Sequence, residues 1–453
     1  MDELEQLRQR VTELETENAE LRRELTQVQQ QLQQIVRRKR PRQPPGQPKG
    51  AASDRRRKQH RQHPGCFRPP PPDEQVSEHH DCTVAACPHC GSSALTPTGH
   101  FEDQLVEDLP PPRLEVQRFR RHQFRCQGCQ KTSLGQSALV PPGAQVGPRA
   151  RWLVGYARAH LGISLGKTTA LLHDLFGLSL SRAGALGHLK WAGRLCAPVV
   201  QKLLELLRQA PVVHADETGW RINGRLVWAW CFANPQIAVF LIDQRRSADV
   251  LIQALGESLP GVLVSDFYAA YNRLDSKKQR CLAHLLRELH TLSDKLPAIY
   301  VSQHIRPWIH LFQDAIALGK EREQLSPRQF SRRRRDLDER LLAQLGRFSK
   351  NADCERIANR IAKYHGELFT FLDEPDVPSD NNLAERDIRS VVAARSDGGV
   401  NRSAWGATAF GHIKSVLRTC QKNGRSFFDY GLELVQAHLA GREPPLPLVV
   451  GTG

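Results

Sequence analysis

The sequence predicts a multidomain protein whose largest part is an α/β domain. Two apolar runs that are typical of buried strands each lead into an aspartate, in Val212–Trp220 (VVHADETGW) and in Gly261–Phe267 (GVLVSDF). Between them lie a predicted hairpin, Arg225–Ala233 and Ile237–Ile242, and a predicted helix, Ser247–Leu259. A helix that connects two strands favours their parallel pairing, so the two runs are expected to be neighbours in one sheet.

Composition restricts the class of protein. The chain has 453 residues, too many for one compact domain, and it carries a formal net charge of +16 with a pI of about 9.6. Such an excess of positive charge suits a polyanionic partner, with nucleic acid as the leading candidate. Because we find neither a membrane-spanning apolar run nor a signal peptide, we expect no membrane partner and a cytoplasmic, nucleoid-associated location.

The two aspartates form the first candidate site. Neighbouring strands lie about 4.8 Å apart, so Asp216 and Asp266 would project together from the C-terminal edge of the sheet. Two ionised carboxylates this close repel each other unless a proton or a cation lies between them. Mg²⁺ is the usual cation for a site made only of oxygen ligands. The alternative is that each aspartate merely caps a turn.

A third acidic segment lies at Ser379–Val391 (SDNNLAERDIRSV), whose first residues predict the start of a helix. A helix packed on the sheet could direct Glu385 towards the two aspartates. Spacing alone does not choose Glu385 over Asp380 or Asp387 as the third carboxylate. The alternative is a solvated amphipathic helix with its own Glu–Arg pairs.

Three motifs in this order resemble those of the transposases of the insertion-sequence 66 family: DET after the first strand, SDFYAAY after the second and DNNLAERDIR on the late helix. The resemblance extends through the flanking regions and covers most of the chain. It implies an RNase-H-like core of the DDE type, in which Asp216, Asp266 and Glu385 hold two Mg²⁺ ions, with Mn²⁺ as a substitute. It also implies a DNA transposase that cleaves element ends in double-stranded DNA and joins them to a target.

The N-terminal region predicts an oligomer. In residues 1–36, apolar residues recur at the first and fourth heptad positions, which indicates a coiled coil. Leucine at most fourth positions and Asn18 at a first position favour a parallel homodimer or higher oligomer; the alternative is a helix packed on its own chain. Residues 37–78 are basic and rich in proline, which predicts a linker in non-specific contact with phosphates.

Residues 79–140 are predicted to form a zinc ribbon, because two C-x-x-C pairs have the spacing with which two turns bind one tetrahedral Zn²⁺ ion. The four ligands are Cys87, Cys90, Cys126 and Cys129. Strand-like segments between the pairs, Leu114–Phe119 and Arg121–Arg125, fit a ribbon. Four cysteines leave no open position for water, so the zinc is expected to be structural. The ribbon would present Arg118, Arg120 and Arg121 to DNA, unless these are only a solvated face.

Residues 141–208 are predicted to be helical, with apolar spacings of three and four in Arg149–His160, Lys167–Leu175 and Arg182–Ala197. Pro198 is expected to interrupt the last of these helices. The second and third helices have helix-turn-helix character. The third would therefore either enter a major groove of DNA or support the catalytic sheet.

The catalytic domain is predicted at residues 209–440, with a helical insertion at about 291–377 and a tail at 441–453. Cys281 and His284 suggest a metal, but a single C-x-x-H in an apolar stretch favours core packing; the resemblance puts His284 near the site. Residues near the late helix are candidates for DNA contact: Arg386, Arg389, Arg395, Arg402 and Trp405. For Trp405 the alternative is core packing. Family members carry an Arg-Lys pair after this helix, whereas this chain has only Arg395 there, followed by serine.

Two other functions remain open from the sequence. A non-catalytic DNA-binding protein, such as an inactive transposase, would use the coiled coil, the zinc and the charge, but would not need three metal-binding carboxylates. An RNase-H-like nuclease would cleave DNA without strand transfer. The sequence leaves open the terminal repeats, the target preference and any need for companion transposition proteins.

Overall fold

The structure, a computed structural model, describes residues 70–141, 143–398 and 401–449. The predicted coiled coil and most of the predicted linker lie outside these residues. The chain divides into two compact units, one that ends at Leu109 and one that begins at Pro110. The described part of the first unit contains a short 3-10 helix, Asp73–Gln75.

A small antiparallel hairpin lies near the start of the second unit. Its strands are β1 (Gln123–Arg125) and β2 (Thr132–Leu134). Strand β1 lies within the predicted strand Arg121–Arg125, but the predicted strand Leu114–Phe119 is wrong, because that exposed segment pairs with no described strand. Alternating side chains do not form a strand when no partner satisfies the backbone.

Three helices precede the central sheet: α1 (Pro148–Ala159), α2 (Leu165–Phe176) and α3 (Arg182–Arg208). Helix α3 runs unbroken through Pro198, so the predicted interruption is wrong. Pro198 and Arg194 both lie on the exposed side of α3. Pro198 has no N–H to donate to the Arg194 carbonyl, which therefore faces water. The buried side of the helix is undisturbed.

The second unit is built on a five-stranded sheet in the order β5-β4-β3-β6-β7. Its strands are β3 (Val212–Ile222), β4 (Arg225–Ala233), β5 (Ala238–Asp243), β6 (Ser258–Ser265) and β7 (Asp275–Arg280). Strands β3, β4 and β5 are antiparallel, whereas β6 pairs parallel with β3 and β7 parallel with β6. The predicted hairpin and the predicted parallel pairing are both confirmed.

Helix α4 (Ala248–Leu255) connects β5 to β6 and is shorter than predicted. Gly256, with φ of 88°, ends the helix, and β6 begins two residues later. Gly261 in β6 allows the segment around Ala210 to approach closely, because a Cβ atom at Gly261 would lie 2.2 Å from the carbonyl oxygen of Ala210.

Strand β3 does not end at Asp216 as predicted. Antiparallel pairing with β4 continues to Ile222, whereas parallel pairing with β6 stops at His214. At Asp216, β3 is therefore still paired with β4 but no longer with β6. The sheet is open on that side of Asp216.

The later helices are α5 (Leu282–Lys295), α6 (Arg306–Lys320), α7 (Pro327–Leu345), α8 (Ala352–Lys363), α9 (Asn382–Gly398), α10 (Ala404–Lys422) and α11 (Phe427–Leu439). Short helical segments lie at Ala269–Arg273, Ala298–Tyr300, Val301–Ile305, Arg322–Gln324, His365–Glu367 and Thr370–Asp373. The segment predicted as an insertion is thus a set of helices.

Hydrophobic clusters on the two faces hold the helices to the sheet. Helices α1, α3, α10 and α11 pack with β3 and β6 in the first cluster, so α3 supports the sheet. The second cluster joins the inserted helices to β3 and β6, and the third packs α9 on β3 and β4. Part of the predicted tail is packed, because Pro447 is buried and Leu446 and Leu448 contact the first cluster. In the described residues, no helix is long and apolar enough to cross a membrane.

Candidate active site

Two of the predicted carboxylates lie near the ends of adjacent paired segments: Asp216 is on β3, and Asp266 directly follows β6. The parallel register pairs His214 with Val264. Asp216 lies two residues beyond His214 and Asp266 two residues beyond Val264, and the charge of Asp266 acts on Asp216. The two carboxylates are therefore close enough to interact at this edge of the sheet, just past the paired part of β3 and β6.

The surroundings of Asp216 oppose its ionisation. Burial, followed by the charges of Glu217, Asp266 and Glu385, raises the pKa of Asp216 to about 7. Its Oδ1 accepts a hydrogen bond from the N–H of Glu217 at 2.9 Å, and Oδ1 of Asp266 accepts one from the N–H of Tyr268 at 2.9 Å. A buried carboxyl surrounded by other carboxyls is stabilised when a cation binds, so this all-oxygen set fits a hard divalent ion.

Helix α9 brings Glu385 to the same place. Ile388 and Val391 bury the inner face of α9 against β3 and β4. The Glu385 side chain is 16% exposed, and its Oε1 lies 3.5 Å from Nδ1 of His284 on α5. His284 is therefore beside the candidate site and not in the apolar core.

The other two acidic candidates on this segment have structural partners. Asp387 is buried and forms ion pairs with Arg418 and Lys422, each at 2.7 Å. Oδ1 of Asp380 accepts the N–H of Asn382 at 3.0 Å at the start of α9. Glu385 differs from both, because its neighbour is His284 and its charge acts on Asp216.

A fourth carboxyl, Glu217, escaped the sequence reasoning. Because side chains alternate along a strand, it points to the face opposite Asp216. Its carboxylate accepts from the Tyr271 hydroxyl and pairs with Arg246 at 2.7 Å. The Arg246 guanidinium lies over the rings of Trp228 and Tyr268, at 4.4 and 4.2 Å from their centroids. Through these contacts Glu217 stabilises the β5–α4 loop. No local pattern in the sequence predicts them.

Asn381 joins three elements of the site and also went unnoticed in the sequence. Its Oδ1 accepts from Nδ1–H of His214 at 3.0 Å, and its Nδ2 donates to the Ala215 carbonyl at 2.8 Å. Its N–H donates to the Cys281 sulfur at 3.2 Å, and its carbonyl accepts the N–H of Glu385 at 3.1 Å. This one buried residue links the strand of Asp216 to the helices of His284 and Glu385.

Arg280 forms hydrogen bonds at the end of β6. It is fully buried and donates to the carbonyl of Asp266 at 2.8 Å and to the Ser265 hydroxyl at 3.2 Å. It also pairs with Glu367 from the inserted helices at 2.5 Å and bonds Asn272. The insertion therefore contributes to the position of Asp266.

The arginines predicted to contact DNA are all exposed: Arg118, Arg120, Arg121, Arg386, Arg389, Arg395 and Arg402. Arg121 donates to the Gly135 carbonyl at 2.7 Å, and Arg395 donates to the Gly219 carbonyl at 2.8 Å, so these two are partly engaged within the protein. Trp405 is 37% exposed with the Lys190 ammonium 5.3 Å from its ring centroid, which makes the core-packing alternative wrong.

The two C-x-x-C pairs form turns with the same hydrogen bonds. In the first unit, the N–H of Cys87 donates to Ser92 and its carbonyl accepts from Gly91; in the second unit, Cys126 bonds Lys131 and Gln130 in the same way. Backbone N–H groups within each turn lower the pKa of the first cysteine of the pair, Cys87 or Cys126. Each turn by itself therefore favours thiolate, the form that binds zinc.

Comparisons with known proteins agree with these features. Residues 143–409 match the family model described as Transposase IS66 family, and residues 85–130 match the zinc-finger binding domain of transposase IS66. Similar proteins include three from Sinorhizobium fredii (strain NBRC 101917 / NGR234). Uncharacterized protein y4jD is 24% identical over 392 residues, which cover 78% of this chain and 74% of that protein.

The other two relatives are Uncharacterized protein y4hP, 22% identical over 376 residues that cover 74% of this chain and 67% of that protein, and Uncharacterized protein y4jO. The latter is 33% identical over 78 residues, which cover only 17% of this chain and 24% of that protein. The family model covers more than half of the chain, and the zinc-finger match precedes it. The chain belongs to the IS66 family of transposases.

Proposed function

We propose that this protein is a divalent-metal-dependent DNA transposase with an RNase-H-like core, which cleaves the ends of its element and joins them to target DNA. The observation that carries the proposal is the convergence of Asp216, Asp266 and Glu385 at one opening in the sheet. A protein that only binds DNA has no need for such a costly cluster of like charges.

These three carboxylates would hold two Mg²⁺ ions, with Mn²⁺ as a substitute. When bound, the ions would supply an activated oxygen nucleophile and stabilise the leaving 3′ oxygen. Asp216 and Asp266 come just after the paired part of β3 and β6, and the Asn381 carbonyl accepts the N–H of Glu385 at the start of α9. Water attack would break a phosphodiester bond at the element end and free its 3′-OH. That 3′-OH would then attack a target phosphodiester and release a target 3′-OH, without a covalent enzyme intermediate.

The exposed basic side chains around α9 support binding of double-stranded DNA near the carboxylates. Arg386, Arg389 and Arg402 form no ion pair or side-chain hydrogen bond among the described residues and are suited to binding phosphates, while Trp405 offers part of an aromatic face. The predicted coiled coil would bring together two copies, and so two element ends.

The function is tested by incubating the full chain with pre-cut element-end DNA and a target plasmid, with and without Mg²⁺ or Mn²⁺. Joined products that require the metal would support the proposal. Cleavage without joining would indicate a nuclease. Binding of the ends without either reaction, with both metals, would reject catalysis in favour of a DNA-binding protein.

Metal binding should depend on pH through Asp216. Its folded pKa of about 7 lies above the value of about 3.9 for an unfolded aspartate, so ionising it destabilises the metal-free fold as pH rises from about 4 to about 7. Mg²⁺ needs the ionised form. The rise in melting temperature on adding Mg²⁺ is therefore expected to be small at pH 6 and larger at pH 8, as measured by thermal unfolding.

Asp216→Asn is the matched variant, since it removes the charge and keeps the shape. At pH 8 it should melt at a higher temperature than the metal-free wild type and should gain little from Mg²⁺. An equal Mg²⁺ effect at both pH values in wild type would argue against Asp216 as a ligand.

The zinc module is expected to depend on the paired cysteines. Cys129→Ser should lose one equivalent of zinc and weaken DNA binding, because small zinc domains unfold without metal, while the main thermal transition should persist. Metal analysis of the purified chain and a DNA-binding titration measure both effects. Cys82→Ser is the control, because Cys82 is exposed and outside the pairs. Equal zinc contents in the two variants would contradict the ribbon.

A further inference from the structure

A second cluster of metal-binding groups adjoins the proposed catalytic site. Donor atoms of Cys281, His284 and Glu385 all lie within 4.8 Å of one another. Cys281 is the N-cap residue of α5 and His284 lies in its first turn, so the C-x-x-H spacing turns both side chains to one side. Glu385 reaches them from the first turn of α9.

Two atoms of this cluster are buried and lack partners. Nδ1 of His284 and Oε1 of Glu385 face each other at 3.5 Å, and neither has a hydrogen-bond partner among the described residues. Buried polar atoms without partners are uncommon and often mark the place of an ion or a water. A cation between them would satisfy both atoms.

Burial raises the pKa of the Cys281 thiol, whereas backbone amides around the sulfur favour the thiolate form that a metal binds. The sulfur accepts the N–H of Asn381 at 3.2 Å, and the backbone amides of Ala283 and His284 at the start of α5 also hydrogen-bond to it. Such amides stabilise a metal-bound thiolate and orient it towards the ion. Cys281 has no exposed surface, so the bound ion would be reached from the side of His284 and Glu385.

We propose that Cys281, His284 and Glu385 form a Zn²⁺ site that is separate from the Mg²⁺ site and shares Glu385 with it. One sulfur, one imidazole nitrogen and one carboxylate oxygen match the preference of Zn²⁺, whereas Mg²⁺ prefers oxygen alone. With three protein ligands the fourth position stays open. Glu385 would use Oε1 for zinc and its other oxygen towards Asp216. Excess Zn²⁺ would then hold Glu385 against α5 and inhibit strand transfer, a consequence that rests on the proposed function.

The site is tested by counting zinc in the full chain, which does not depend on activity. Wild type that has been saturated with Zn²⁺ and then freed of unbound ion is expected to hold two equivalents, one in the four-cysteine ribbon and one here. Cys281→Ser and His284→Ala should each lose one equivalent, and Cys129→Ser should lose the other. Co²⁺ substitution in Cys129→Ser should still give a thiolate-to-cobalt charge-transfer band, which disappears when Cys281→Ser is added.

The control variants change one cysteine that is buried like Cys281 and one histidine on the helix of His284. Cys354 is another buried cysteine, and His290 is an exposed histidine on the same helix as His284. Cys354→Ser and His290→Ala should keep both equivalents. His284 is partly exposed, so His284→Ala is expected to fold even if Cys281→Ser does not, and circular dichroism checks each variant. Equal zinc contents in wild type and folded His284→Ala would overturn the proposal.

The consequence for activity is measured separately. In an active preparation, the Zn²⁺ concentration that halves strand transfer should rise at least about tenfold in His284→Ala, in line with the loss of a ligand. An inert wild type would count against the transposase and would leave the zinc count unaffected. An unchanged inhibitory concentration would reject the sharing of Glu385.

Discussion

Asp216→Asn, Asp266→Asn and Glu385→Gln are each expected to lower strand transfer by at least about 10³-fold. A bound metal stabilises the transition state by several kcal/mol, and each 1.4 kcal/mol corresponds to a factor of ten in rate. Each variant keeps the volume of its side chain and removes one negative charge. DNA binding should therefore persist or improve slightly, because the site becomes less repulsive to phosphates. Gel assays of joined products, with a DNA-binding titration, measure both quantities.

Asp387→Asn is the informative comparison for the third carboxylate. It lies on the same helix as Glu385 but pairs with Arg418 and Lys422 inside the protein. It should lower the melting temperature, because two cations lose their buried partner, while the folded fraction keeps most of its activity. If Asp387→Asn abolished activity in a fully folded sample and Glu385→Gln did not, the assignment of the third carboxylate would be wrong.

Asn381→Ala is expected to reduce strand transfer by about 10- to 100-fold, the usual effect of losing a group that orients metal ligands. The substitution leaves His214 and the Ala215 carbonyl without their partner, and so removes the side-chain link between β3 and the start of α9. Each unpaired buried group costs about 1–3 kcal/mol, so a lower melting temperature is also expected. The Mg²⁺ concentration needed for half-maximal activity should rise, which loss of stability alone would not cause.

Two comparisons isolate the positioning effect. Asn382→Ala changes the exposed neighbour and should leave activity and stability unchanged. His214→Ala removes one partner of Asn381, so the double variant should lose less than the sum of the single losses in free energy. If the free-energy losses of the two single variants were additive and the Mg²⁺ requirement were unchanged, Asn381 would have only a structural role.

Several elements could be predicted because their signals are local. The apolar runs that end in Asp216 and Asp266, with a helix between them, predict neighbouring parallel strands. The register of β3 and β6 confirms this pairing. The C-x-x-C spacing predicts zinc turns, and the family match covers the same residues. Period and spacing within a few residues carry this information, since they reflect the geometry of one strand, one helix or one turn.

Other features depend on which faces of the elements are exposed. Pro198 lies within α3 because its side of the helix meets water, and β3 continues past Asp216 because β4 still pairs with it. The side chain of Trp405 is exposed, although a tryptophan would by residue type also fit an apolar core. A sequence pattern states what a residue prefers, but not which neighbour is present to satisfy it.

The sequence by itself determined the strand–strand–helix order of the acidic motifs, the zinc cysteines and the basic character of the chain. Only the tertiary structure decided that Asp387 is bound to Arg418 and Lys422, and that Asn381 and Arg280 hold the carboxylates in place. It also brought Cys281 and His284 to Glu385, about one hundred residues further along the chain. The reason is physical: partners this distant in sequence meet only when the packing of whole helices on the sheet brings them within bonding distance.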